Sequence, residues 1–131
     1  MTLSFRLLPL LAAALLAACA TSEPMGPPRK ETLLAVTEAN ELIRFNAGQP
    51  QRVLDKKPLQ GLPAGETLVG IDFRVARGVL YALSSGGRLY TLDTASATLK
   101  PVGTAAPIAL PGKVHGVDFN PVADRVRVVS D

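Results

Sequence analysis

Short apolar runs alternate with polar turns along most of this chain. After residue 30 the runs are rich in branched and aromatic residues, and Gly, Asn, Asp and Ser stand between them, which is typical of strands joined by hairpins. Apolar spacing of the helical kind is not sustained in this part of the sequence. The pattern predicts an all-β domain over residues 31–131, with about three strands in 33–54, four in 67–102 and two in 114–130.

The central stretch contains one complete unit of this pattern. We predict its strands at 67–73, 79–84, 88–92 and 98–102. The turn of the middle hairpin falls on Ser85-Gly86-Gly87, because glycine accepts the positive φ that tight hairpin turns need.

The same unit recurs on both sides of this stretch. At an offset of 46, residues 70–85 lie over residues 116–131, and an offset of 47 lays residues 33–45 over residues 80–92. The first alignment matches Gly70, Asp72, Phe73 and Ser84 with Gly116, Asp118, Phe119 and Ser130. The second matches fewer identical residues but keeps the order strand, polar turn, strand.

Four antiparallel strands in a repeat of roughly 40 to 50 residues are typical of a propeller blade. We therefore predict antiparallel β-propeller-type repeats with about two blades present, and a solenoid of β-arches is the alternative. A closed propeller needs at least about four blades. An incomplete propeller would leave strand edges open to self-association or to another chain. Because the sequence stops inside a unit, we favour a truncated repeat domain over an oligomer.

Three segments carry a resemblance to a known family: ETLVGIDFR, LYALSSGGRLYTLDT and VHGVDFNPVADRVRVVSD. They resemble the bacterial domain-of-unknown-function family 4394, whose members repeat a Gly-x-Asp-Phe strand followed by a Leu-Tyr-Ala-Leu strand. The likeness covers roughly residues 33–131. It implies a β-propeller-like, secreted or envelope-attached domain with no assigned activity. Members of the family continue past Val-Val-Ser-Asp with further strands, which agrees with a truncated domain.

The N-terminus predicts a lipoprotein signal peptide at residues 1–18. Arg6 provides the positive charge, and Leu7–Ala18 is too short to cross a bilayer permanently. Leu16–Cys19 resembles the lipobox of bacterial lipoproteins, which makes Cys19 the lipidated first residue of the mature chain. Residues 19–30 then form a proline-rich tether. Because the residue after Cys19 is Ala20 rather than aspartate, we expect the outer membrane rather than the inner one in a Gram-negative host.

Charge and cysteine content narrow the function classes further. Formal net charge is +3, and loss of Arg6 with the signal peptide leaves +2. The basic residues are scattered rather than clustered, so we expect no nucleic-acid partner. Cys19 is the only cysteine, so the mature domain depends on a packed core rather than on disulfides.

Candidate chemistry in the repeat domain is sparse. Asp72 and Asp118 occupy equivalent positions and are the metal-binding candidates, although a carboxylate that accepts backbone N–H groups is the interpretation we favour. His115 is the single histidine, and no nucleophile and orienting acid accompany it at a recognisable spacing. We assign no catalytic residue, no cofactor and no firm metal site.

Three functional hypotheses remain. The first is an envelope lipoprotein that acts as a binding or interaction module, with an unknown protein or small molecule as ligand and the membrane as partner through Cys19. The second is a metal-dependent propeller hydrolase that uses Asp72, Asp118 and His115. The third is a fragment of a longer propeller protein without independent function.

Overall fold

A computed structural model describes residues 25–104 and 106–131. Its strands form three antiparallel sheets, and the described residues contain no α-helix. The fold-class prediction is confirmed: the protein is all-β, and its antiparallel sheets are consistent with an incomplete propeller-like arrangement. The predicted signal peptide, Cys19 and the first part of the tether lie outside the described residues.

The strands follow one another along the chain as consecutive hairpins. The first sheet has the order β1-β2-β3, formed by Thr32–Val36, Glu41–Asn46 and Gln49–Pro58. The second has the order β4-β5-β6-β7, formed by Leu68–Arg74, Val79–Ser84, Leu89–Asp93 and Thr98–Pro101. The third pairs β8 with β9, formed by His115–Asn120 and Arg125–Ser130.

Most strands lie within a residue or two of their predicted bounds, and β3 is the exception. The prediction ended this strand at residue 54, whereas it continues to Pro58. The extension holds acidic and basic side chains that pair with each other and with β2: Lys57 Nζ lies 2.6 Å from Asp55 Oδ2, and Lys56 Nζ lies 3.0 Å from Glu41 Oε1. Charged residues therefore fill strand positions that the apolar pattern did not mark.

Strand register follows the sequence repeat. Ile71 pairs with Ala82 between β4 and β5. The residues 46 positions later, Val117 and Val128, pair in the same way between β8 and β9. At the offset of 47, Ala35 pairs with Ile43 as Ala82 pairs with Tyr90. Thus β8 is the equivalent of β4, and β1 is the equivalent of β5.

The main core lies between the first and second sheets. Leu42 from the first sheet is buried against residues of the second, and Leu34 and Val36 pack at its margin. The second sheet contributes Leu80, Ala82, Tyr90, Leu92 and Leu99. These residues come from alternate positions of their strands, so one face of each sheet is turned toward the other.

The second and third sheets meet through β4 and β8. A side chain at Gly70 would overlap the side chain of Val117, with the added Cβ only 2.6 Å from Val117 Cβ. Glycine at this position therefore allows the close approach of the two strands. Tyr81 extends the contact, because its ring centroid lies 5.3 Å from that of Phe119.

Within the described residues, no helix has the length and apolar character needed to span a bilayer.

Candidate binding groove between the first and second sheets

An open groove of about 810 Å³ separates the first sheet from the second. Its apolar lining includes Leu33 and Leu34 from β1, Ile71 and Phe73 from β4, and Leu80 from β5. Four charged residues also line it, namely Arg44, Asp55 and Lys57 from the first sheet and Asp72 from β4. A concave site with a largely apolar lining and a few polar groups is the usual form of a binding pocket.

Strand pairing puts the charged residues of the first sheet on the groove face. Leu34 pairs with Arg44, and Arg44 in turn pairs with Asp55. Residues directly opposite one another project to the same side of a sheet. Leu42 is opposite Lys57 and projects to this side as well, where it enters the core. The groove and the core are therefore two parts of one interface between sheets.

Of the charged residues of the first sheet that line the groove, Asp55 and Lys57 form an ion pair and Arg44 does not. Lys57 donates a hydrogen bond to Asp55, and this bond, followed by the positive charges of Lys57 and Arg44, lowers the pKa of the Asp55 carboxyl. Arg44 forms none of the salt bridges found among the described residues. Its guanidinium thus provides positive charge that an acidic ligand could use.

Asp72 joins the second sheet to the third. Its Oδ1 accepts the backbone N–H of Phe73 at 2.8 Å, and its Oδ2 accepts the backbone N–H of Phe119 at 2.6 Å. Both oxygens are therefore used by main-chain donors. The N–H of Phe119 comes from the next sheet rather than from a following turn, which the sequence did not predict.

Asp118 has a different neighbour from its repeat equivalent. Arg127, directly opposite on β9, donates to Asp118 Oδ2 from Nη2 at 2.6 Å and from Nε at 3.1 Å. The pair is largely exposed. Residues 25–104 and 106–131 contain no group of three or more His, Cys, Asp or Glu side chains placed to hold a metal ion.

His115 lies at the start of β8, away from the groove. Its Nε2 is 3.0 Å from the carbonyl oxygen of Pro111, and since a carbonyl only accepts, Nε2 carries the proton. Ser130 is opposite His115 in the strand register. The Asp131 carboxylate accepts the N–H groups of Val114 and Lys113, and these bonds, that of Val114 first, lower the pKa of Asp131. His115, Ser130 and Asp131 are close in the fold, but the hydrogen bonds of the His115 and Asp131 side chains go to the main chain.

Sequence reasoning missed two sets of charged residues. Arg44, Asp55 and Lys57 gave no motif, because their grouping depends on the register of three strands. The ion pair of Arg74 with Asp124 was also missed, although it links β4 to the β8–β9 turn and places the guanidinium 5.6 Å from the Phe119 ring centroid. The interaction with Asp124 raises the pKa of Arg74.

Comparison with protein-family models gives a match to "Domain of unknown function (DUF4394)" over residues 41–131. The chain belongs to this DUF4394 family. Neither the curated proteins nor the solved structures contain a match. The match begins at Glu41, the first residue of β2, and includes the second and third sheets. The DUF4394 region therefore contains β2, which lines the groove, and both Gly-apolar-Asp-Phe strands, β4 and β8.

Proposed function

We propose that this DUF4394 protein is an interaction module of the bacterial cell envelope. The groove between the first and second sheets carries the proposal, because it combines exposed apolar surface with an Arg44 guanidinium that lacks a described ion-pair partner. Phe73 lines it while 39% exposed. Exposed apolar side chains with an adjacent charge are typical of surfaces that hold a partner.

The proposed location rests on the N-terminal sequence. A signal peptide at 1–18 and lipid on Cys19 would hold the domain at a membrane, with the outer membrane favoured by Ala20. A residue that carries several acyl chains anchors much more firmly than one with a single chain. The groove would then act close to the membrane surface.

A metal-dependent hydrolase has less support from the geometry. Both oxygens of Asp72 accept main-chain N–H groups, and Asp118 pairs with Arg127. A calcium or similar site would need several oxygens directed at one point. We therefore put the binding module first.

Site-specific photo-crosslinking in cells tests the groove as a binding surface. A photo-crosslinking amino acid replaces Thr32, which lines the groove, and in a matched strain it replaces Val122, which is 95% exposed in the β8–β9 turn. We expect a discrete crosslinked species from position 32 only. Arg44→Glu should remove that species, whereas Arg125→Glu, on exposed β9, should retain it. Equal crosslinking at both positions, or none at position 32, would contradict the proposal.

A further inference from the structure

We propose that the edge of β1 with which no described strand pairs receives an extended Gly-apolar-Asp-Phe segment from another polypeptide, which adds to the first sheet as a fourth strand. This inference rests on the proposed function and names the class of partner that the groove takes. Strand addition to an exposed sheet edge is an established mode of peptide recognition, in which main-chain hydrogen bonds provide affinity and side-chain pockets provide specificity.

The repeat locates the open position. In the second sheet β5 pairs with β4 on one edge and with β6 on the other, whereas its equivalent β1 pairs only with β2 among the described strands. The described residues before β1 turn to the β2–β3 hairpin instead, where the Arg29 N–H donates to Asn46 Oδ1 at 2.7 Å. No described strand of the first sheet therefore corresponds to β4.

The hydrogen bonds between β1 and β2 show which main-chain groups of β1 are directed to the other edge of the strand. The N–H of Ala47 donates to the carbonyl of Glu31, and the N–H of Thr37 donates to the carbonyl of Glu41, both at 3.0 Å. Main-chain groups alternate between the two edges of a strand. Odd-numbered residues of β1 thus bond to β2, and the even-numbered ones, Thr32, Leu34 and Val36, direct their N–H and C=O groups outward.

The register of the second sheet indicates the sequence that fits this edge. In β4, Ile71 pairs with Ala82, Asp72 with Tyr81 and Phe73 with Leu80. At the offset of 47, the corresponding residues of β1 are Ala35, Leu34 and Leu33. An incoming Gly-apolar-Asp-Phe segment would place its apolar residue and its Phe over Ala35 and the exposed Leu33. Its Asp would stand opposite Leu34, on the groove face.

A comparison of two equivalent phenylalanines supports the same occupant. Phe119 is 9% exposed and its N–H bonds to Asp72 of the preceding sheet, whereas Phe73 is 39% exposed and its N–H bonds to the adjacent Asp72 side chain. The Asp of an incoming strand would accept the N–H of Phe73, as Asp72 accepts that of Phe119. Arg44, on the same face of the first sheet, would add a favourable positive charge.

The described strands of this type are already in use, so none of them can occupy the edge of β1 without losing its own pairing. β4 is paired with β5, and β8 is paired with β9. A second copy of the chain would have to break one of these pairings to supply its own strand. A partner that carries the segment in an extended, unpaired region has no such cost.

Peptide binding to the full-length lipoprotein in detergent tests the inference. The probe is a fluorescent synthetic peptide with the sequence of residues 66–76, measured by anisotropy. In β4 the N–H of Asp72 is directed to β5, whereas the N–H of Phe73 is directed away from β5 and bonds to the Asp72 carboxylate.

The bound peptide would direct the same N–H groups toward and away from β1. N-methylation of the peptide at the Asp should therefore weaken binding at least tenfold, and N-methylation at the Phe less than threefold. Aspartate to alanine in the peptide should weaken binding about tenfold.

Hydrogen exchange on the same complex gives an independent result. We expect new protection at the amides of Leu34 and Phe73, with the β5–β6 amides protected before and after addition. If the β5–β6 amides are protected, which shows that the protein is folded, and the peptide does not bind, the inference is overturned. It is also overturned if the two N-methylations weaken peptide binding equally. A dimer that the peptide dissociates would overturn it in favour of a second copy. Peptide failure with continued crosslinking at position 32 would leave the proposed function intact.

Discussion

Left-handed backbone at the hairpin turns recurs with the repeat, although the residue that adopts it changes. Asn40 has φ 56° and Gly87, 47 residues later, has φ 72°; Gly78 has φ 61° and Asp124, 46 residues later, has φ 52°. Glycine, asparagine and aspartate are the residues that enter this region at least cost. At the residue scale, the repeat therefore preserves backbone conformation rather than residue identity.

Two glycine substitutions separate backbone strain from loss of space. Gly78→Ala places a Cβ in open space, so we expect a loss of about 1 kcal/mol in the free energy of unfolding from left-handed strain alone. Gly87→Ala adds an overlap with the carbonyl oxygen of Ile108, so we expect a loss of about 2–4 kcal/mol. Urea denaturation of the two variants measures the difference. Equal losses would show that the Ile108 segment moves freely away.

At the element scale, the β6–β7 turn depends on a carboxylate. Asp93 Oδ1 accepts the N–H groups of Ala95 at 2.9 Å and Ser96 at 2.8 Å. The Ser96 N–H, the Ser96 side chain and then the Ala95 N–H lower the pKa of Asp93 below its ordinary 3.8. Such a turn replaces a backbone hydrogen bond with a side-chain one.

Acid should weaken this turn. Because the folded-state pKa lies below 3.8, the unfolded chain binds more protons as pH falls through that value. The stabilisation is therefore complete well above pH 3.8 and is lost as pH falls through the folded-state pKa. We expect Asp93→Asn to be less stable than the natural protein at pH 7 and to lose less stability between pH 7 and pH 3. Urea midpoints at both pH values measure this, and identical acid losses would contradict it.

Strands were easier to predict than the site because strand formation is local. Val79–Ser84 matched its predicted bounds because apolar residues and flanking glycines mark it in the sequence itself. The end of β3 did not, since Asp55, Lys56 and Lys57 are stabilised by partners that only the fold supplies. The groove lies between two sheets whose relative placement the local pattern does not contain. The repeat drew attention to Asp72, but the bond of Asp72 to Phe119 depends on that same placement of the sheets.

On the scale of the whole molecule, a lipid anchor on Cys19, as proposed, would limit where the groove can act. A fully extended tether of residues 19–30 would reach about 40 Å at roughly 3.3 Å per residue. That length would let a domain anchored through Cys19 contact partners at the membrane surface and a short distance beyond it. It would then limit which envelope polypeptides could supply a strand to β1.

Replacement of Cys19 should separate the domain from the membrane. Without its sulfur, Cys19→Ser cannot form the thioether to diacylglycerol, so we expect the protein to move from the membrane fraction to the soluble fraction. Ala20→Asp is the matched control, because it keeps the sulfur and, in a Gram-negative host, should move the protein from the outer to the inner membrane. Cell fractionation with intact-mass measurement distinguishes these outcomes. Membrane retention of Cys19→Ser at the mass of the unlipidated chain without residues 1–18 would show that the domain itself, rather than an acyl anchor, binds the membrane.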